Sequence, residues 1–157
     1  VVRRESAVAD LKAVGADVVI VDSPDLARDV KVATGAKMKL AVDAVAGDTA
    51  GRLADTLERG GTLVNYGGMS NQPSALGAGA LIFNDIIVRG FWLVLWFEKA
   101  TKEERIGVYA ALTAAVAKGE LHAPIDKVFA LDEIAEAARY SWAGGRSGKV
   151  LIAPNGI

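Results

Sequence analysis

Segments dominated by apolar, often β-branched residues recur along this chain at Asp17 to Val21, Met38 to Val45, Thr62 to Tyr66 and Ile86 to Trp92. Between them lie segments whose apolar residues return at helical spacing: Val8, Leu11 and Val14 after a capping Ser6, Leu26 to Thr34 after Pro24, and Thr49 to Arg59 with Leu53 and Leu57 on one face. A strand that is apolar without alternation is buried on both faces, and strands of that kind occur in parallel sheets covered by crossover helices. The pattern therefore predicts an α/β fold, a Rossmann-like doubly wound parallel sheet, with Val1 to Arg4 as a further short strand at the start.

Glycines punctuate the pattern. Gly15 and Gly35 close the first two helices, and Gly60-Gly61 is expected to cap and turn the third. Residues 67–80 are rich in Gly, Ser, Asn and Pro and are expected to form a long functional loop. Beyond it, Lys102 to Lys118 predicts a helix and Lys127 to Ala130 a short strand. Asp132 then caps a helix through Trp142, and a turn over 144–148 leads into a final strand, Lys149 to Ala153.

Composition narrows the function classes. The 157 residues are 52% hydrophobic and 24% charged, enough apolar material for one substantial core. A net charge of −1 and an isoelectric point near 5.9 give no basic surface for nucleic acid. There is no cysteine and a single histidine, His122, so neither a disulfide framework nor a zinc tetrad can be assembled, and no metal site is expected. The apolar stretch Ile86 to Phe97 is interrupted by Arg89 and is too short to span a bilayer, so no membrane association is expected. The compartment expected is the cytoplasm, with the mitochondrial matrix as the alternative.

A dinucleotide fold carries G-x-G-x-x-G between its first strand and first helix, and this sequence has no such motif. The opening reads instead as the strand that follows it, entered mid-chain and ending in Arg3-Arg4. At that strand tip an acid would bind the ribose hydroxyls of NAD, whereas arginine offers planar donors to the 2′-phosphate of NADP. A solvated strand end is the competing reading of Arg3 and Arg4, and Glu5 beside them could neutralise one guanidinium. In the strand order 3-2-1-4-5-6 the first strand is central, so without it two strand edges are expected to stand unpaired. The chain by itself is then expected to oligomerise, borrow a segment or belong to a longer polypeptide.

The motifs taken together resemble the medium-chain dehydrogenase/reductase superfamily. Leu11 to Asp17 (LKAVGAD), Asp43 to Gly47 (DAVAG) and Leu57 to Gly67 (LERGGTLVNYG) are similar to segments found across that superfamily. Tyr66-Gly67-Gly68-Met69-Ser70, with Gln72-Pro73, and Arg89-Gly90-Phe91-Trp92-Leu93 resemble the mitochondrial-type 2-enoyl-CoA reductases. The resemblance implies a partial dinucleotide-binding domain over roughly residues 1–120 and a return segment over 121–157 to a catalytic domain outside the sequence. It further implies NADPH as cofactor, held by Arg3 and Arg4 at the 2′-phosphate, by the backbone of Tyr66, Gly67, Gly68 and Met69 and of Phe91, Trp92 and Leu93 around the nicotinamide, and by Lys149.

The activity implied is hydride delivery to the β-carbon of a 2-enoyl thioester. The usual proton donor is a tyrosine of the catalytic domain, so Tyr66, Tyr109 and Tyr140 receive no such role and no catalytic residue is assigned. The chain alone is expected to lack turnover. A homodimer through the edge strand Ile86 to Phe91 is the implied assembly, and packing is the competing role of the aromatics there. A zinc-free quinone oxidoreductase and a non-catalytic nucleotide-sensing or structural module remain alternative readings.

Overall fold

The computed structural model describes residues 1–143, 146 and 148–156, and these form two compact units divided after Trp96. The turn expected over 144–148 takes in residues 144, 145 and 147, which lie outside the described residues.

In the first unit, three parallel strands lie in the order β1 (Met38–Asp43), β2 (Leu57–Asn65) and β3 (Ile87–Gly90). Helix α3 (Gly47–Thr56) makes the crossover from β1 to β2 and packs against both strands. Its small residues Ala50 and Ala54 let it sit close to the sheet, where they join Ala41, Leu57, Leu63, Ala80 and Ile86 in one core. Helix α2 (Leu26–Thr34) packs on α3, buries Leu26 and Val30, and ends at Gly35 in the left-handed conformation. A short helix, α1 (Val8–Ala13), follows a 3-10 turn at Glu5–Ala7.

Four local expectations change. Val1 to Arg4 and Asp17 to Val21 do not form a ladder; they meet in one parallel bridge, Val2 with Val21. Two backbone hydrogen bonds, Val2 N to Ile20 O (2.9 Å) and Asp22 N to Val2 O (2.7 Å), are all that a pair of strands without further neighbours retains here. Gly60-Gly61 is not a helix cap: α3 ends at Thr56, because the fully buried Leu57 already belongs to β2. Gly60, with φ +77°, instead forms part of a bulge where the pairing steps from Met38–Leu57 to Leu40–Thr62.

The loop after β2 is shorter than its composition suggests, since Ala78–Phe83 forms helix α4 and buries Ala80. Finally, β3 stops at Gly90, two residues before Trp92, and Leu93 opens helix α5 (Leu93–Lys99) rather than extending the strand. Aromatic and branched residues there mask a helix that simple propensity disfavours.

The covering of the sheet is one-sided at β1. Ala41 faces α3, while Leu40 and Val42 point the other way and are 58% and 57% exposed. Among the described residues β1 pairs with β2 alone, so its second edge carries no ladder there. A cleft of about 450 Å³ lies along that edge, between β1 and the Val2–Val21 bridge, lined among others by Val2, Ile20, Leu40 and Val42. This is the place that the central strand holds in the order 3-2-1-4-5-6.

One ionic cluster ties the two sides of the cleft together. Asp22, just past the bridge, accepts from Arg52 Nε (2.8 Å), Arg52 Nη2 (2.7 Å) and Thr49 Oγ1 (2.9 Å), both on α3. The Arg52 hydrogen bond holds the Asp22 carboxyl below its ordinary value against the opposing effect of burial, and the same bond pushes Arg52 up.

The second unit is a β-α-β crossover preceded by a long helix. Helix α6 (Lys102–Ala117) starts from a capping box in which Glu104 N donates to Thr101 Oγ1 (3.1 Å) and Thr101 N donates to Glu104 Oε2 (2.8 Å). β4 (Ile125–Ala130) and β5 (Lys149–Ala153) pair in parallel, joined by α7 (Ile134–Ala143). The carboxylate acting at the start of that crossover is Glu133, which accepts from Ala130 N at 2.8 Å, rather than the expected Asp132. Phe129 and Ala137 form its small core. Beside it Tyr140 Oη donates to Asp126 Oδ2 at 2.6 Å, a bond that raises the phenol above its ordinary value.

A carboxylate lowered on folding lends stability that is fully present above the ordinary carboxylate range and lost as pH falls through the lowered value. Urea melts from about pH 4 downward should therefore show wild type losing stability more steeply than Arg52→Gln, whose Asp22 has lost its bidentate partner. Parallel curves for the two proteins would show that the pair contributes nothing.

Candidate cofactor-binding site

Parallel strands in register end together. Asp43 pairs with Asn65 and Asn65 with Gly90, so β1, β2 and β3 finish level at their carboxyl ends, the side on which open α/β sheets bind ligands. The chain beyond each strand is fixed by backbone bonds to its neighbour. Tyr66 N donates to Asp43 O (2.9 Å), Met69 N to Ala44 O (3.1 Å), Ser70 N to Val45 O (2.9 Å) and Phe91 N to Asn65 O (2.9 Å). The segments following β1, β2 and β3 thus form one rim.

Below the rim lies a buried polar cluster. Asp43 is 1% exposed, and its carboxylate accepts from Val45 N (2.8 Å), Ala46 N (3.2 and 3.1 Å at its two oxygens) and Asn65 Nδ2 (3.0 Å). Asn65 Nδ2 also donates to Gly67 O at 3.1 Å. No ion pair among the described residues includes Asp43, so this anion is held by neutral donors.

The two rim glycines differ in what they need. A Cβ on Gly67 would stand 2.8 Å from Ala44 O and 3.3 Å from Ala44 Cα, so the close approach of the first two strand ends requires glycine. A Cβ on Gly68 would meet nothing within 4 Å, and Gly68 does not have a positive φ. The absent side chain at Gly68 serves no contact inside the protein.

Among the clefts that meet the rim, two take in the sequence-predicted residues. A smaller one, about 390 Å³, is lined by Asn65, Tyr66, Gly67, Gly90, Phe91, Trp92 and Leu95. It brings together Tyr66, Gly67, Phe91 and Trp92, and the three aromatics are 55%, 47% and 61% exposed. The larger cleft along β1 is bordered by Arg3 as well as by Asp43, Ala44 and Tyr66, so Arg3 and Tyr66 share one concavity. Gly68 and Met69 continue the rim as exposed residues. Arg4 does not line that cleft; its carbonyl accepts Ala7 N at 3.1 Å where the 3-10 turn begins. Leu93 is exposed at the start of α5 and lines neither cleft. Lys149 lies on β5 in the second unit, its amide bonded to Pro124 O at 2.7 Å.

Asp22, Arg52 and Asn65 escape a reading by sequence because the bonds that define them join distant positions. Asp43 carries a signal, a carboxylate closing an apolar strand, but its partners are backbone amides that no side-chain pattern reveals. Among the described residues no group of three or more His, Cys, Asp or Glu is placed to hold a metal ion.

A family model described as zinc-binding dehydrogenase matches residues 14–152. The mitochondrial enoyl-[acyl-carrier-protein] reductase of Dictyostelium discoideum is 39% identical over 114 residues, 73% of this chain and 32% of that protein. The solved Etr1p/NADP/crotonyl-CoA complex superposes with a TM-score of 0.80 at 26% identity, over 96% of this chain and 44% of that one. A protein described as an NADPH:quinone reductase from Mesorhizobium loti gives a TM-score of 0.78 at 27% identity, over 98% and 44%. The chain thus spans 32–44% of the length of these relatives.

Gly67→Ala should lower stability by about 1–3 kcal/mol, the effect of forcing a methyl group into packed backbone. Gly68→Ala should leave it within about 0.5 kcal/mol. Paired denaturant melts check both, and equal effects would contradict the distinction drawn between the two glycines.

Proposed function

Because the chain belongs to the zinc-binding dehydrogenase family, the medium-chain dehydrogenases and reductases, we propose that it is the cofactor-binding part of an NADPH-dependent reductase. The reaction proposed for the whole protein is reduction of the C=C bond of a 2-enoyl thioester. The observation that carries this reading is the concave rim at the level ends of three parallel strands, with Tyr66 and Gly67 on one side and Gly90, Phe91 and Trp92 on the other.

The residues present fit NADPH. The amides of Tyr66, Met69 and Phe91 are spent on holding the rim together, so the groups proposed to meet a carboxamide are other main-chain amides and carbonyls of Tyr66 to Met69 and Phe91 to Leu93, and Gly68 leaves room for a ligand to approach the main chain. Arg3 and Arg4 supply guanidinium donors for a 2′-phosphate, and Arg3 borders the same cleft as Tyr66. When bound, NADPH would supply the hydride; the protein's part here is to fix the ring's orientation and the choice of coenzyme. The residues do not fit zinc, since a chain without cysteine and with one histidine lacks the donors, and no step is assigned to a metal.

The thioester substrate is supported by the names of the relatives, several of them mitochondrial enoyl-[acyl-carrier-protein] reductases. Those names also support the mitochondrial matrix over the cytoplasm, and no described helix is long and apolar enough to cross a membrane. The likeness to the NADPH:quinone reductase keeps quinone reduction as a second reading. Assembly is proposed through β3, an edge strand on which Ile87 and Val88 are 55% and 40% exposed. Of the expected edge segment, Ile86 belongs to the core instead.

Fluorescence titration tests the coenzyme. The double variant Arg3→Ala/Arg4→Ala should lose about tenfold or more in affinity for NADPH and little for NADH, as expected when charge-assisted bonds to a phosphate are removed. An equal loss for both coenzymes would remove the 2′-phosphate role. Assay of the full-length protein with crotonyl-CoA and with a quinone separates the two substrates. Val88→Pro, which deletes a ladder donor, should shift a dimer toward monomer in analytical ultracentrifugation; an unchanged mass would refute pairing through β3.

A further inference from the structure

Ala46 has φ +64° and ψ −153°, a region open in practice to glycine only, although it carries a Cβ and is 6% exposed. Such a conformation persists where the surroundings over-determine it, and here both oxygens of the Asp43 carboxylate grip the Ala46 amide. The neighbouring Val45 amide is held by the same group, and Val45 O in turn receives the amide of Ser70. The strained turn after β1 is therefore the seat on which the Met69–Ser70 part of the rim rests.

Asn65 makes the second connection. Its Nδ2 has two protons; one goes to Asp43 Oδ2 and the other to Gly67 O. Both partners are acceptors, so the network allows only one orientation of the amide. The side chain is a short strut between a buried carboxylate and the peptide that joins Gly67 to Gly68.

We propose that Asp43 is the positioning residue of the nicotinamide rim, acting through the Asn65 strut and the Ala46 turn to aim the main-chain groups of residues 67–70. The assignment rests on the reading of this rim as a cofactor site. Its physical basis is stiffness. A buried anion satisfied by four neutral contacts cannot shift without stranding a donor or an acceptor, so every group bonded to it inherits a fixed place. Asp43 touches no ligand in this account and serves the reaction only by orientation.

Asn65→Ala removes the strut without adding charge, and Ala46 N continues to bond Asp43; Asn65→Asp, which sets acceptors against Asp43 and Gly67 O, is the stronger version. Asp43→Asn, which takes an acceptor from the Val45 and Ala46 amides, tests the other arm: hydrogen exchange on the full 157-residue chain should show the Met69 and Ser70 amides opening faster in this variant, with the Leu63 and Val64 amides of β2 unchanged. In both Asn65→Ala and Asp43→Asn, NADPH affinity should fall about tenfold or more, the loss expected when a main-chain hydrogen bond to the carboxamide is misaligned, while 2′,5′-ADP, which lacks the nicotinamide half, should bind as to wild type. Equal losses for both ligands, or unchanged exchange at Met69 and Ser70, would overturn the proposal and leave the cofactor site standing. A wild-type chain that binds neither ligand would instead remove the cofactor reading, and the proposal with it.

Discussion

The Asp43 carboxylate sits where the ends of two strands, a strained turn and a glycine rim converge. It is buried without a cationic partner and satisfied wholly by amides, two from the backbone and one from Asn65. A carboxylate in such a place is costly unless each bond is made, so it acts as a constraint on the shape around it as much as a source of stability. Around it lie the level ends of β1 and β2, the close approach of Gly67 to Ala44 and the positive-φ passage through Ala46 and Gly47.

The other end of the cleft is held differently. The Val2–Val21 bridge has two backbone bonds, too few to fix a strand pair, and its link to the sheet is the bidentate Asp22–Arg52 ion pair with Thr49. Beside it β1 has no second strand partner among the described residues, and Leu40 and Val42 are exposed. Polar latches thus bound both ends of an apolar cleft, one on the side of Arg3 and one on the side of Tyr66.

Much of the architecture was legible in the residues. Apolar-rich segments such as Met38 to Asp43 and Leu63-Val64 identify the parallel strands, though Leu40 and Val42 are exposed, and the spacing of Ile106, Tyr109, Leu112 and Val116 identifies α6. Local patterns failed where a distant contact decides the matter. Leu57 ends a helix and starts a strand because the core claims it, and Gly60-Gly61 becomes a bulge for that reason. Val18 and Ile20 look like a strand by composition, yet composition cannot say whether a neighbour exists to complete the ladder. At the rim, Tyr66, Gly67, Phe91 and Trp92 were recognisable from motif resemblance, whereas the Asp43–Asn65 pair joins positions 22 residues apart and shows no periodicity.

Under the proposed function the two tasks of a nicotinamide site make different demands. Choice of coenzyme needs charge, which works from an exposed side chain such as Arg3. Ring orientation needs angular accuracy, which main-chain groups braced by a satisfied buried network supply better than exposed side chains. A non-glycine residue in a glycine conformation at Ala46 fits the second demand, since both oxygens of Asp43 grip its amide.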